Sequence, residues 1–170
     1  IKMANKAYSS ISAKILTDLN KAGMSGTLNY EPADTTEKWI YKEIIVDNAS
    51  TALLQAGIQY EGSVRTDETE TEIATGDKVK WIAIKHTGTS DGTIATTEGV
   101  VISLAASGSA AYNEVEGIFL DAGDFWLGKL PATTCNDIGA ITVTVANGSP
   151  SSAGAADVLV QVAAVIDDIA

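Results

Sequence analysis

The apolar positions of the chain fall into two regimes. Over residues 5–22 they recur at helical spacing: Ala7, Ile11, Ile15, Leu19 and Ala22, with Leu16 beside them. Residues four apart share one face of a helix, so this spacing predicts an amphipathic helix with a narrow apolar stripe. Gly23 supplies a stop, and Lys21 suits the negative end of the helix dipole. From Ser25 onward the pattern shortens to runs of β-formers separated by turn residues.

Trp39–Val46 is aromatic and β-branched and ends at Asp47-Asn48. Leu53–Tyr60 is a further expected strand, with Gly57 as a bulge or close approach. Residues 65–78 are polar, and their alternating Thr and Glu predict an exposed edge strand or loop whose charge discourages stray pairing. Lys78–His86 alternates, with Val79, Trp81, Ala83 and Lys85 on one side and Lys80, Ile82, Ile84 and His86 on the other. Apolar residues on both sides predict a central strand. Gly88–Gly92 is a turn, marked by Asp91-Gly92. Gly99–Ala105 and Glu116–Leu120 are expected strands around a small-residue loop at Ser107–Ala111, and Asp121–Asp124 is a turn. Phe125–Leu130 is a short strand stopped by Pro131. Ile138–Ala146 is a strand, Asn147–Gly154 a Gly/Ser/Pro loop, and Asp157–Ile166 the closing strand.

About eight strands at this spacing predict an all-β fold, an antiparallel β-sandwich or jelly roll with a short N-terminal helix. A parallel α/β sheet needs intervening helical patterns, and none follows residue 23. The expected organisation is a helical arm over residues 1–24 and one β-sandwich domain over residues 25–170, with no internal repeat or long linker.

Composition sharpens this. Of 170 residues 45% are hydrophobic, enough for a core, while the charged fraction of 19% lies below the usual quarter. Ala, Gly, Ser and Thr fill the difference and suit short strands, tight turns and close interfaces. The net charge is −11, the only arginine is Arg65, and the lysines are scattered. Phosphate neutralisation needs clustered Lys and Arg, so nucleic acid is disfavoured as a partner, and anionic membranes for the same reason. The longest apolar stretch, Val158–Ile166, is interrupted by Gln161 and is too short to span a bilayer. No secretory signal pattern is visible, and Met3-Ala4-Asn5-Lys6 reads as a natural start. The single cysteine, Cys135, makes neither an internal disulfide nor a Cys-based zinc site, and is expected to be a small buried hydrophobe.

Catalytic chemistry is hard to place. Gly88-Thr89-Ser90-Asp91-Gly92 fits G-x-S-x-G, but no helix follows it and the only histidine, His86, precedes the serine. A Gly-rich hairpin turn accounts for the string. His86 lacks a second histidine at ligand spacing, and no phosphate-cradling glycine motif occurs. Asp121 with Asp124, and Asp67, Glu68, Glu70 and Glu72, are acidic clusters of the kind Ca²⁺ takes, without EF-hand spacing. The second reads as a solvated acidic stripe. Trp39, Trp81 and Trp126 are candidates for a sugar-stacking face; Trp81 is expected in the core, and Trp126 is left open. Asn48-Ala49-Ser50 and Asn147-Gly148-Ser149 match the glycosylation pattern and read as turns. No catalytic, cofactor-binding or metal-binding residue is assigned, and the chain is expected not to be an enzyme.

Gly117–Pro131, followed by Ile138–Ala146, is similar to the closing strands of small jelly-roll virion proteins, and residues 45–63 have the same character. Over roughly residues 40–168 the chain resembles capsid decoration, or cement, proteins of tailed bacteriophages in size, acidity, Ala/Gly/Thr richness and scarcity of cysteine. The resemblance is one of style and carries no residue-level site. It implies a structural virion protein on the outer capsid surface, a trimer bridging subunits of the major capsid protein. The other reading is a receptor- or carbohydrate-binding module of a phage fibre or bacterial surface appendage.

Overall fold

A computed structural model describes residues 7–14, 23–30, 37–47, 53–54, 57, 62–63, 72–74, 76–103, 117–134, 140–145, 149–154 and 156–167. Among them there is no helix, and every strand pairing is antiparallel. The strands are β1 (Ala7–Lys14), β2 (Gly23–Tyr30), β3 (Glu37–Val46), β4 (Gly62–Ser63), β5 (Lys78–His86), β6 (Gly99–Ser103), β7 (Gly117–Leu120), β8 (Phe125–Thr134), β9 (Ala140–Val145), β10 (Ser149–Ala153) and β11 (Val158–Asp167). They form a hairpin of β1 and β2, a four-stranded sheet in the order β10-β9-β6-β7, and a five-stranded sheet in the order β4-β3-β11-β5-β8. The eleven strands among the described residues exceed the expected eight or so.

The N-terminal helix is the clearest correction. Ala7–Lys14 is a strand, paired from Ala7↔Tyr30 to Lys14↔Gly23. Ala7, Ile11, Ile15 and Leu19 are four apart, and a spacing of four also satisfies the two-residue period of a strand. Ser9, Ser10 and Ser12 then weigh against a helix interior, because serine competes for backbone hydrogen bonds there. The domain boundary expected after residue 24 falls inside β2. Residues 15–22 lie outside the described residues.

In the five-stranded sheet β11 is the middle strand. It pairs with β3 from Val158↔Val46 to Asp167↔Glu37, and with β5 from Val160↔His86 to Asp167↔Lys78. The pleat sends Val158, Val160, Val162, Ala164 and Ile166 to the inner face, where all are buried. Ile40, Ile44 and Val46 of β3 and Val79, Ile82 and Ile84 of β5 join them in one cluster, which also takes in Val100, Ile102 and Leu120 of the four-stranded sheet. One core is thus shared by both sheets.

Several loops and edges differ from the sequence reading. Leu53 and Leu54 are buried in the core but sit in a bend rather than a strand. Gly57 is a turn residue whose N–H donates to the Ile73 carbonyl, 2.9 Å. Ile73, beside the acidic stretch, is also a core residue. Strand β8 runs through Pro131 rather than stopping there. It lies at the sheet edge, and Pro131 sits where the β5–β8 register shifts, between Lys129↔Trp81 and Thr133↔Val79. An edge bulge tolerates the missing N–H. Ser149–Ala153, expected as loop, pairs irregularly with β9.

Candidate functional site

The five-stranded sheet has a second, outward face, and its composition is unusual. Strand β3 alternates Ile40, Ile44 and Val46 inward with Trp39, Tyr41, Glu43 and Ile45 outward; Trp39 is 41% exposed, Tyr41 46% and Ile45 56%. The ladder registers extend these positions into rows across the sheet. Trp39 stands beside Val165, Trp81 and Lys129; Tyr41 beside Ala163, Ala83 and Leu127; Glu43 beside Gln161, Lys85 and Phe125; and Ile45 beside Leu159. An antiparallel sheet with one solvated face ordinarily turns polar residues outward. Here most outward positions are apolar, and aromatic residues flank a low centre made by Ala163 and Ala83.

Trp81 belongs to this face, not to the core where it was expected. The register shift between Val79 and Trp81 moves Val79 into phase with Ile82 and Ile84 and leaves Trp81 on the opposite side, half-buried. Trp126 is half-buried on the inner side and packs against the core cluster. Its ring lies over Gly128, where a Cβ would come within 2.9 Å of Cζ2. It therefore does not stand on the outer face as a free aromatic platform.

Three polar groups of the outer face are tied together. Gln161 Nε2 donates to Glu43 Oε1 at 2.9 Å, and the Tyr41 hydroxyl donates to the same oxygen at 3.4 Å. Partial desolvation on the sheet, then the charge and hydrogen bond of Glu43, hold the Tyr41 hydroxyl above its ordinary pKa. At the border of the face Lys80 Nζ pairs with Asp167 Oδ2 at 2.6 Å.

The G-x-S-x-G string forms a hydrogen-bonded loop after β5. Asp91 Oδ1 accepts the N–H groups of Thr93 and Ile94 and the Thr93 hydroxyl, each at 2.8 Å. The Ile94 and Thr93 N–H groups, followed by the Thr93 hydroxyl, lower the Asp91 pKa. Gly92 has φ +93°, which a side chain rarely adopts. Ser90 Oγ donates to the Ile94 carbonyl at 3.4 Å. His86 is fully buried and engaged elsewhere: its Nδ1 accepts the Gly88 N–H at 2.9 Å, so Nε2 carries the proton and donates to the Glu98 carbonyl at 2.8 Å. Neither set of bonds joins Ser90 to His86, and each group is accounted for as loop architecture.

The Asp121–Asp124 turn spends its carboxylates on backbone. Asp124 Oδ2 accepts the Asp121 N–H at 2.9 Å, and Asp121 Oδ1 accepts the Ala122 N–H at 3.0 Å. Among the described residues no group of three or more His, Cys, Asp or Glu is placed to hold a metal. Glu72 is exposed, whereas Asp67, Glu68, Glu70, Cys135, Asn48 and Asn147 lie outside the described residues. No protein-family model, curated protein or solved structure matches the chain.

Proposed function

We propose that this chain is a structural subunit rather than an enzyme, decorating and stabilising the outside of a bacteriophage capsid by contact with the major capsid protein. The observation that carries this reading is the outward apolar face of the five-stranded sheet, a surface built for contact rather than for turning over a small molecule. We also read the two sheets as the layers of a β-sandwich, supported by the core cluster they share. The acidity fits a place outside a DNA-filled shell, since a net charge of −11 is repelled by packaged DNA. Mild protease treatment and surface labelling of intact purified virions test the placement. The chain should be labelled before the shell is opened, and its removal should lower the temperature at which capsids rupture. A chain found only inside the shell, or absent from virions, overturns the proposal.

One observation favours a second reading, glycan binding. Trp39 and Tyr41 follow each other along the outward side of β3, and both rings are open to solvent. The version centred on Trp126 is disfavoured by its packing on the core. Saturation-transfer NMR against polysaccharides would show contacts to the Trp39 and Tyr41 rings; none across a broad panel removes this reading.

A further inference from the structure

The outer face is self-complementary in charge. One side of it, on β3, carries Glu43 with the Trp39 and Tyr41 rings; the other, on β5 and β8, carries Lys85 and Lys129. Between them Ala163 and Ala83 form a low centre. The chain as a whole has a net charge of −11, so two copies repel over most of their surfaces. This face is the exception, because Lys85 and Lys129 stand on it beside a single carboxylate, Glu43.

We propose that the outer face of the five-stranded sheet is a self-association surface, on which a second copy of this chain docks face to face about a twofold axis parallel to the strands. That operation lays β3 of one copy over β8 of the other and β11 over β5, with the rows kept level. Trp39 then faces Lys129 of the second copy, an aromatic face toward an ammonium. Tyr41 faces Leu127, Ala163 faces Ala83, and Glu43 comes within a side chain's reach of Lys85. The twofold repeats each contact. An axis running across the strands would instead set each strand against its own copy and bring the lysines of each copy together.

The size of the surface is that of a small, weak interface. Four strands about 4.8 Å apart and seven residues at about 3.4 Å each span roughly 19 by 24 Å, about 450 Å² in projection. That falls within the range of the largest apolar patch on a monomer. Two such faces together approach the roughly 1,000 Å² at which a specific interface becomes credible. The sheet edges offer less: β4 has two residues, and β8 is broken by a bulge at Pro131. A twofold pair departs from the trimer implied by the resemblance to decoration proteins. The proposal rests on reading this face as a protein–protein interface and gives it to the second copy, so that contact with the major capsid protein falls to other surfaces of the pair.

Sedimentation equilibrium on the full chain, with the charge-reversed variants Glu43→Lys and Lys85→Glu alone and mixed, is the test. The wild-type chain should be a dimer. Each variant alone should dissociate about 100-fold more readily, since like charges then face each other twice. An equimolar mixture should recover the dimer, because each variant supplies the charge the other lost. Both positions are exposed, so folding should survive, and the circular dichroism spectrum and melting temperature verify it. Should one variant fail to fold, Tyr41→Lys replaces it as a disruption at an exposed site. A monomeric wild type, a trimer indifferent to these changes, or variants that stay dimeric would each overturn the proposal. Capsid binding by a monomeric wild type would leave the decoration reading standing and remove only this one.

Discussion

Ile44 and Ile45 are chemically identical neighbours on β3, one buried in the core cluster and the other 56% exposed on the outer face. Replacing each by Ala removes the same atoms and the same strand propensity, a common cost of up to about 1 kcal/mol. What differs is burial. Ile44→Ala also loses transfer energy and leaves a cavity among Ile40, Val46 and Val160, so a total of about 3 to 4 kcal/mol is expected. Ile45→Ala loses little contact in the single chain and should cost about 1 kcal/mol. With a urea dependence of about 2 kcal/mol per molar, the midpoints of the two variants should differ by about 1 M. Protein concentration adds a second axis. A residue buried only on association costs more as the associated form fills, so the Ile45→Ala deficit should grow with concentration while that of Ile44→Ala stays constant. Urea melts followed by circular dichroism over a hundredfold dilution series measure both. Equal costs at the lowest concentration would refute the reasoning, because Ile45 would then be buried within the single chain.

Three further outcomes follow from the same geometry. His86→Ala strands the Gly88 N–H and the Glu98 carbonyl and empties a buried site, so a loss of about 2 to 4 kcal/mol is expected, with faster amide exchange at Gly88; unchanged exchange at Gly88 would contradict the assigned tautomer. Asp91 has a lowered folded pKa, so its support of the loop is complete above the ordinary carboxylate range and is lost as pH falls through the folded value. Amide shifts of Thr93 and Ile94 should therefore move only below that range, and Asp91→Asn should abolish the movement; a midpoint at the ordinary carboxylate value would dismiss the bonds. Tyr41 should ionise above the ordinary tyrosine range, read as the difference between wild-type and Tyr41→Phe absorbance titrations, and Glu43→Gln should bring it down; a Tyr41 indifferent to Glu43→Gln would deny the contact.

The strands legible in the sequence were those with strong local chemistry. Trp39–Val46, Lys78–His86 and Asp157–Ile166 are dense in aromatic and β-branched residues, and each emerges within a residue or two of its expected bounds. What stayed hidden depended on long-range pairing. The spacing of Ala7 and Ile11 fits helix and strand alike, and pairing with Gly23–Tyr30 decides between them. The bulge opposite Pro131 shifts the phase of β5, so alternation alone assigned Trp81 to the wrong face. Ser149–Ala153 has no β-forming composition and is a strand through its ladder with β9. The outer face was half visible: apolar residues on both sides of Lys78–His86 marked a two-sided strand. Registers across four strands were needed to gather Trp39, Tyr41, Trp81 and Phe125 onto one surface.

The contrast between the edges and the face of the five-stranded sheet bears on how this chain meets a partner. An open edge presents unpaired backbone groups to any passing strand, and natural sheets blunt it with short strands, prolines and bulges. Both edges here carry such devices, β4 with two residues and β8 with Pro131 in a bulge. The four-stranded sheet behaves alike, ending in the four-residue β7 and the irregularly paired β10. Strand addition is thus discouraged at the edges of these two sheets, while Trp39, Tyr41, Ile45 and Phe125 remain open on the face. General protection against association would have removed those side chains as well. Association directed through side chains, as proposed for this face, is consistent with blunting the edges and keeping the face apolar.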